Sequence, residues 1–386
     1  MKKISILGAT GSVGTNTLEI ISRNKTKYKV IALTSFKNFK KLAKLALDFN
    51  CSYAVIGDKY YYKALKKELS GTRVTCLAGS EGITEIAKIK VDIMISAIVG
   101  IAGLMPTFYS IGNSKLLAIA NKESIISAGS ILLNKAKRMD TKIIPLDSEH
   151  NAIFQLLNKE QNKSIRNIIL TASGGPFLNM KIKDFKNICV NQALSHPNWK
   201  MGKKITIDSA TLVNKVLETV EASILFGIDL DLVDIIIHPS SLVHGIVNFI
   251  DGSSHFIASK PDMQIPINYA LTWPQRSPNK VKFINFKKNN EFSFFTPNAR
   301  KFPALTLKNI IRNSKFKKSS IIVLNASNEI AVESFLKNNI EFNDIVKVIK
   351  KTIKTFEHIN VKSLRDVLLV DSEARKRASN IISKKI

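Results

Sequence analysis

Two carboxylates stand two positions apart in Asp147-Ser148-Glu149-His150, directly after a short apolar segment that reads as a strand. Open α/β sheets collect ligands at the carboxyl ends of their strands, so this is a place where chemistry is expected. An oxygen-only pair suits Mg²⁺ or Mn²⁺. The plainer alternative is that Asp147 or Ser148 merely caps a helix beginning at Glu149. A second cluster shifts the balance toward a ligand site. Asp208-Ser209 is expected to open a long helix over Ala210–Phe226 that carries Asn214, Lys215 and Glu218. Ser209 then lies at the anion-favouring end, while Asn214 and Glu218 share one face, about 6 Å apart along the axis. Such a helix spans the length between a phosphate and a metal-bound end of a small molecule. Against it stands a solvated Lys215–Glu218 pair, common in lysine-rich chains.

Two further segments carry donors. Thr171-Ala172-Ser173-Gly174-Gly175-Pro176-Phe177 is a turn of small residues after a strand, and Ser173 with neighbouring N–H groups can nest a phosphate. Ser195-His196-Pro197-Asn198-Trp199-Lys200-Met201-Gly202 combines a polar hook, an aromatic and a glycine, the makings of a lid or of an anchored surface turn.

Near the N-terminus, Gly8-Ala9-Thr10-Gly11-Ser12-Val13-Gly14 follows an apolar segment and precedes a helical pattern. In that setting a glycine turn brings N–H groups and a helix N-terminus against a pyrophosphate. The second strand ends in Thr34-Ser35-Phe36-Lys37-Asn38, without the acid that holds a ribose 2′-hydroxyl in NAD enzymes. Ser35, Lys37 and Asn38 can instead bond a 2′-phosphate, so NADPH is the expected cofactor.

The elements that must carry these groups alternate. Ile4–Leu7, Val30–Thr34, Ala54–Ile56, Val74–Leu77, Ile93–Ser96, Leu116–Ile119 and Ile143–Leu146 read as strands, and Phe39–Phe49 has helical spacing. The pattern predicts an α/β fold with a parallel sheet. Beyond residue 150, strands at Ile168–Thr171, Ile235–Ile237 and His255–Ala258 join the long helix. Asn279–Lys301 has no period and reads as a linker, followed by helices at Ser319–Phe335, Phe342–Phe356 and Asp371–Ser383. The expected division is 1–150 for the cofactor, 151–278 for catalysis and dimerisation, 279–301 as linker and 302–386 as a helical domain.

The net charge of +28 comes from 58 basic against 30 acidic residues. The lysines are dispersed rather than gathered in a stripe, which argues against a nucleic-acid partner. A positive surface does favour anionic ligands. Three scattered cysteines argue against disulfides and a cysteine zinc site. The longest apolar run, Val91–Met105, is broken by two glycines and is too short to span a bilayer. Cytoplasm is the expected compartment, with no membrane partner.

Taken together, these motifs resemble the 1-deoxy-D-xylulose 5-phosphate reductoisomerase family. The likeness runs in one order through Gly8–Gly14, Ala97-Ile98-Val99-Gly100, Ala120-Asn121-Lys122-Glu123, Pro145–Gln155, Ser173–Phe177, His196–Gly202, Asp208–Glu218, His238–His244, Pro261–Pro266 and Leu324–Glu329. It implies a homodimer whose subunits have a Rossmann-like NADPH domain, a central α+β catalytic domain with a sheet, and a C-terminal helical bundle. It implies Mg²⁺ or Mn²⁺ on Asp147, Glu149 and Glu218, and a substrate phosphate on Ser173, His196, Ser209, Asn214 and Lys215. Lys122 and Ser148 would meet the reacting end, Trp199 would close over it, and Ser241, His244 and Met263 would line the walls. NADPH would contact Thr10, Gly11, Ser12, Val13, Ser35, Lys37, Asn38, Asn121, Lys122, Glu123 and Gly202. The implied reaction rearranges a sugar phosphate and reduces the product to 2-C-methyl-D-erythritol 4-phosphate.

Ala172, Leu212-Val213 and Val216 depart from the family pattern without removing a proposed ligand. The nearest rival is an ordinary NADP-dependent two-domain dehydrogenase, which needs no acidic metal set. A basic nucleic-acid-binding protein is the rival from another class.

Overall fold

The computed structural model describes residues 1–157, 162–199, 201–289 and 291–384. Lys200, inside the expected lid, and Asn290, inside the expected linker, lie outside the described residues. Strands β1 (Lys2–Leu7), β2 (Tyr28–Ser35), β3 (Tyr53–Ile56), β4 (Thr75–Ala78), β5 (Val91–Ser96), β6 (Ser114–Ile119) and β7 (Lys142–Pro145) match the seven sequence expectations. Among the described residues they form one sheet in the order β4-β3-β2-β1-β5-β6-β7, with every neighbouring pair parallel. Their apolar runs lack alternation because such strands are covered on both faces. Between strands lie α1 (Ser12–Ser22), α2 (Phe39–Asp48), α3 (Tyr62–Glu68), α4 (Gly79–Ala87), α5 (Leu104–Ser110) and α6 (Lys122–Arg138). Strand order reverses at β1, flanked by β2 and β5, and that crevice is where such folds bind ligands.

Contacts group the chain into two units. The first comprises Met1–Ser124, Ser130–Asn151 and Asp262–Val281. The second comprises Ile125–Gly129, Ala152–Pro261 and Lys282–Ile386. Residues 262–281 thus fold with the dinucleotide-type sheet, although the sequence reading put most of them in segment 151–278. Their helix, α11 (Gln264–Thr272), is tied there by hydrogen bonds from Tyr28 Oη and Lys2 Nζ to Leu271 O (both 3.4 Å) and from Arg23 to Gln264 (2.9 Å).

The second unit holds β8 (Ile165–Ala172), β9 (Val233–Ile237), β10 (Val243–Phe249) and β11 (Ser254–Ala258). Their order is β11-β10-β8-β9, with β10 antiparallel to both neighbours and β8 parallel to β9. Strand β10 escaped the sequence reading because His244, Gly245 and Asn248 break its apolar pattern. The helices that follow α7 (Ser148–Leu156) are α8 (Val190–Ala193), α9 (Lys203–Thr211), α10 (Val213–Phe226), α12 (Thr306–Arg312), α13 (Lys317–Leu336), α14 (Asp344–Thr355) and α15 (Leu364–Ser383). The expected single helix over Ala210–Phe226 is corrected here. Leu212 takes a left-handed conformation (φ 61°) and divides it into α9 and α10. Asp208 and Ser209 therefore end α9 instead of opening α10. The expected linker is also fastened at its far end: Ile237 and Phe295 exchange two backbone hydrogen bonds (2.8 and 2.9 Å), and Phe294 stacks on His238.

Of the three cysteines, Cys51 is buried, and burial pushes its thiol up to about 12, so it is inert packing. Among the described residues, no helix is long and apolar enough to cross a membrane.

Asp208 is 1 % exposed, yet its carboxylate meets Lys204 at 3.0 Å and accepts from Asn328 on α13 at 2.8 Å. Removing a donor to a buried charge costs about 1–3 kcal/mol or more. Asn328→Ala should lower stability by about that amount, measured by denaturant unfolding, whereas Lys337→Ala on the exposed end should be nearly neutral.

Candidate active site

The glycine loop is shaped by backbone proximity. Gly8 has φ +92°, and a Cβ placed there would stand 2.5 Å from Ala97 O. At Gly14 a Cβ would stand 2.5 Å from Gly8 O, so the loop, β5 and α1 meet with no room for a side chain. Gly11 differs: the nearest atom to a Cβ there is Gly8 O, at an ordinary 3.5 Å. Gly11 is the N-cap of α1, offers no side-chain cap, and accepts from Thr15 N–H at 2.9 Å. The N–H groups of Ser12, Val13 and Gly14 precede the first intrahelical donor, and such orphan donors attract an anion. An open N-cap, an unbranched approach and a helix N-terminus fit a dinucleotide pyrophosphate.

Thr10 Oγ1 and Ser35 Oγ are 2.8 Å apart, joining the loop to the end of β2. Gly8 N–H donates to Thr34 Oγ1 at 2.9 Å. Lys37 is exposed and lies 3.9 Å from Asp58. Asn38 caps α2, its Oδ1 accepting from Lys41 N–H at 3.1 Å. Asn121 and Glu123 are buried and bonded to each other at 3.0 Å, and Asn121 also donates to Ile98 O and Gly100 O. The Asn121 amide thereby holds the 98–100 loop.

At the end of β7, Asp147 Oδ1 accepts from Glu149 N–H at 3.3 Å, so Asp147 does cap α7. Its carboxylate does more than cap. Lys122 Nζ lies 3.1 Å from Oδ2, and buried His150 presents Nδ1 3.4 Å from Oδ1. Ser148 Oγ donates to Glu149. Asn151 donates to Pro145 O at 2.9 Å and fixes the turn onto the strand end. The result is an oxygen-donor pair, Asp147 and Glu149, beside one buried ammonium: a donor set suited to a hard cation.

In the second unit, Ser173 and His196 come together: Oγ and Nε2 are 3.0 Å apart. His196 Nδ1 accepts from the N–H groups of Asn198 (3.1 Å) and Trp199 (3.0 Å), so a neutral ring carries its proton on Nε2. Gly175 N–H donates to Ser173 Oγ at 3.1 Å. A Cβ at Gly175 would press on Ser209 O at 3.0 Å, so the small-residue turn abuts the end of α9. On α10, Asn214 and Lys215 both donate to Glu218. The solvated-pair alternative fails, because Lys215 is 4 % and Glu218 1 % exposed. Asn214 and Lys215 thus converge on Glu218 within one helical turn.

Trp199 stands edge-on to His244, ring centroids 6.3 Å apart, and His244 Nε2 is 2.9 Å from Ser259 Oγ. Ser241, at positive φ, accepts from Asn198, whose amide also reaches Pro239 O at 2.7 Å. Gly202 is the N-cap of α9 with open space around it. Met263 is the N-cap of α11 in the first unit. Two contributors were missed by the sequence reading. Asn198 lies inside the lid motif and carried no signal beyond its polarity. Lys41 Nζ donates to Thr10 O at 3.0 Å, and its only sequence signal was lying one turn after Asn38.

A parallel sheet reversing at β1, with this glycine loop in the crevice, defines a dinucleotide-binding protein of the Rossmann-like class. Family models narrow this. That for 1-deoxy-D-xylulose 5-phosphate reductoisomerase matches residues 4–129, and two for its C-terminal domains match 143–226 and 258–377. A reductoisomerase of Wolbachia pipientis subsp. Culex pipiens is 47 % identical, over 100 % of this chain and 98 % of that one. One of Ehrlichia canis is 43 % identical over the whole of both. The solved Zymomonas mobilis enzyme in complex with NADPH aligns at TM-score 0.92 and 40 % identity, over 99 % of both chains. A solved DOX-P reductoisomerase with NADPH, fosmidomycin and magnesium aligns at 0.92 and 36 %, over 99 % of this chain and 98 % of that one. The chain belongs to the 1-deoxy-D-xylulose 5-phosphate reductoisomerase family.

The loop geometry separates folding from binding. Gly8→Ala should lower the melting temperature sharply, because the strained φ and the 2.5 Å approach both oppose a Cβ. Gly11→Ala should leave melting nearly unchanged but weaken NADPH binding in a fluorescence titration.

Proposed function

We propose that this chain converts 1-deoxy-D-xylulose 5-phosphate to 2-C-methyl-D-erythritol 4-phosphate with NADPH and Mg²⁺ or Mn²⁺, in isoprenoid precursor biosynthesis. The observation that carries the reading is full-length similarity to reductoisomerases, in a chain that carries a glycine loop, the acidic pair Asp147 and Glu149 and the Ser173–His196 cluster. We propose Asp147, Glu149 and Glu218 as the metal donors. A bound divalent ion supplies Lewis acidity to a ketone and its neighbouring hydroxyl, and NADPH supplies the hydride.

The residues have distinct tasks. His196, held by two N–H groups on Nδ1, turns Nε2–H toward the oxygen that Ser173 occupies, a donor aimed at phosphate. Ser173, Ser209, Asn214 and Lys215 supply further donors, Lys215 with a charge that burial strengthens. Lys122 holds Asp147 in orientation and brings positive charge to the reacting end, beside Ser148. Trp199 and His244, edge-on to each other, form a wall that excludes water, and Ser241 and Met263 are proposed as further lining. Thr10, Gly11, Ser12 and Val13 take the pyrophosphate; Ser35, Lys37 and Asn38 take the 2′-phosphate. Asn121, Glu123 and Gly202 complete the cofactor site. We also propose a cytoplasmic homodimer with a cofactor domain over 1–150, to which 262–281 returns, a catalytic domain over 151–261 and a helical domain over 302–386. Helices α12 to α15 all falling within 302–386 support the last boundary.

Following NADPH oxidation with 1-deoxy-D-xylulose 5-phosphate tests the reading. Turnover should require Mg²⁺ or Mn²⁺ and stop in chelator; full activity in chelator overturns the metal assignment. Glu218→Gln should lower turnover by roughly a hundredfold while sparing NADPH affinity. Lys215→Ala should lower kcat/KM roughly ten- to a hundredfold on the phosphorylated substrate, yet add little when the substrate lacks its phosphate. Losses that simply add would remove Lys215 from phosphate recognition.

A further inference from the structure

We infer that Lys41 is a specificity-determining residue for the cofactor, a cation that reads the 2′-phosphate alongside Lys37. The inference rests on the NADPH reading above. Three groups of one unit meet where the glycine loop touches the second strand. Lys41 Nζ donates to Thr10 O at 3.0 Å, and Thr10 Oγ1 lies 2.8 Å from Ser35 Oγ at the end of β2. In this fold that strand end is where the adenosine ribose carries its 2′ substituent. An ammonium has three donors, and Thr10 O takes one. The bond therefore fixes Nζ at the loop while leaving donor capacity for an anion.

The charge pattern supports a ligand role. Lys37, the cation that sequence singled out, is 61 % exposed at its side chain and shares its charge with Asp58 at 3.9 Å. Lys41 has no carboxylate partner among the described residues, and it is less exposed than Lys37. It also stands in the first turn of α2, which contains no acid. A lysine there opposes the helix dipole. A helix that gained only its own stability from this turn would favour Asp or Glu. A dianionic phosphate offsets the unfavourable placement, and a neutral 2′-hydroxyl does not.

The bland alternative is that Lys41 only steadies the glycine loop. The two roles differ in which ligands they affect. The full-length protein, Lys41→Met and Lys41→Arg are titrated with NADPH and NADH by nucleotide fluorescence, and with 2′,5′-ADP and 5′-ADP by calorimetry. Lys41→Met should weaken NADPH and 2′,5′-ADP by roughly ten- to a hundredfold, leaving NADH and 5′-ADP little changed. Lys41→Arg should restore most of the preference. Equal losses for the phosphorylated and unphosphorylated ligands would reduce Lys41 to loop support, and an unchanged NADPH-to-NADH ratio would remove it from cofactor choice; either overturns the inference. An unmodified protein that binds NADH as tightly as NADPH would overturn the cofactor reading itself. Retained NADH binding in Lys41→Met shows that the variant folds.

Discussion

The backbone at Gly8 passes so near Ala97 that no side chain fits between them, and the first unit is organised around that approach. It requires β1 and β5 to run parallel with their ends level, which they do from Ile4–Ile93 to Leu7–Ser96. It places the loop at the reversal of strand order, where helices leave opposite sides of the sheet. It also sends the chain directly into α1, whose first N–H groups then have no partner in the helix. Thr34, Ser35 and Lys41 hold the loop from the other flank. A cofactor site of this kind is thus a consequence of how closely two strands can be joined.

The second unit answers to a different constraint, the cost of burying charge. Lys215, Glu218 and Asp208 are nearly inaccessible, and isolated buried charges of this sort cost several kcal/mol each. Each is therefore held by partners: Lys215 and Asn214 on Glu218, Lys204 and Asn328 on Asp208. The left-handed residue Leu212 makes this possible by ending α9 and restarting the chain as α10. Asn214 and Lys215 then occupy the first turn of a new helix. The same network reaches α13 and, through Glu329 and Arg375, α15. The C-terminal helices thereby bear on the segment that carries Ser209.

Much of this was legible in residue order. The seven parallel strands appear as apolar runs because burial on both faces imposes that composition, and the helices between them repeat every three to four residues. The glycine loop was legible because steric exclusion at Gly8 and Gly14 restricts residue type directly. The Asp147-Ser148-Glu149 turn was legible for a related reason: a strand end leaves polar groups exposed to a ligand. Residues 262–281 were not assignable in this way, since α11 belongs with the first sheet through hydrogen bonds to Tyr28, Lys2 and Arg23 that lie more than 200 residues away in sequence.

Where local chemistry alone dictates the residue, order along the chain was enough, as at the glycine loop and the strand ends. Where several conformations satisfy the same local pattern, packing chose among them. Nothing in Thr211-Leu212-Val213 forbids a continuous helix, and Leu212 adopts a left-handed turn although it is not glycine. Strand β10 carries polar residues that the pattern rejects, yet it pairs on both edges with β8 and β11. Lys215 and Glu218 look like any surface pair until long-range packing buries them. Left-handed backbone, polar strands and buried charges each cost free energy locally, so they persist only where distant partners offset that cost, and those partners are set by the folded chain.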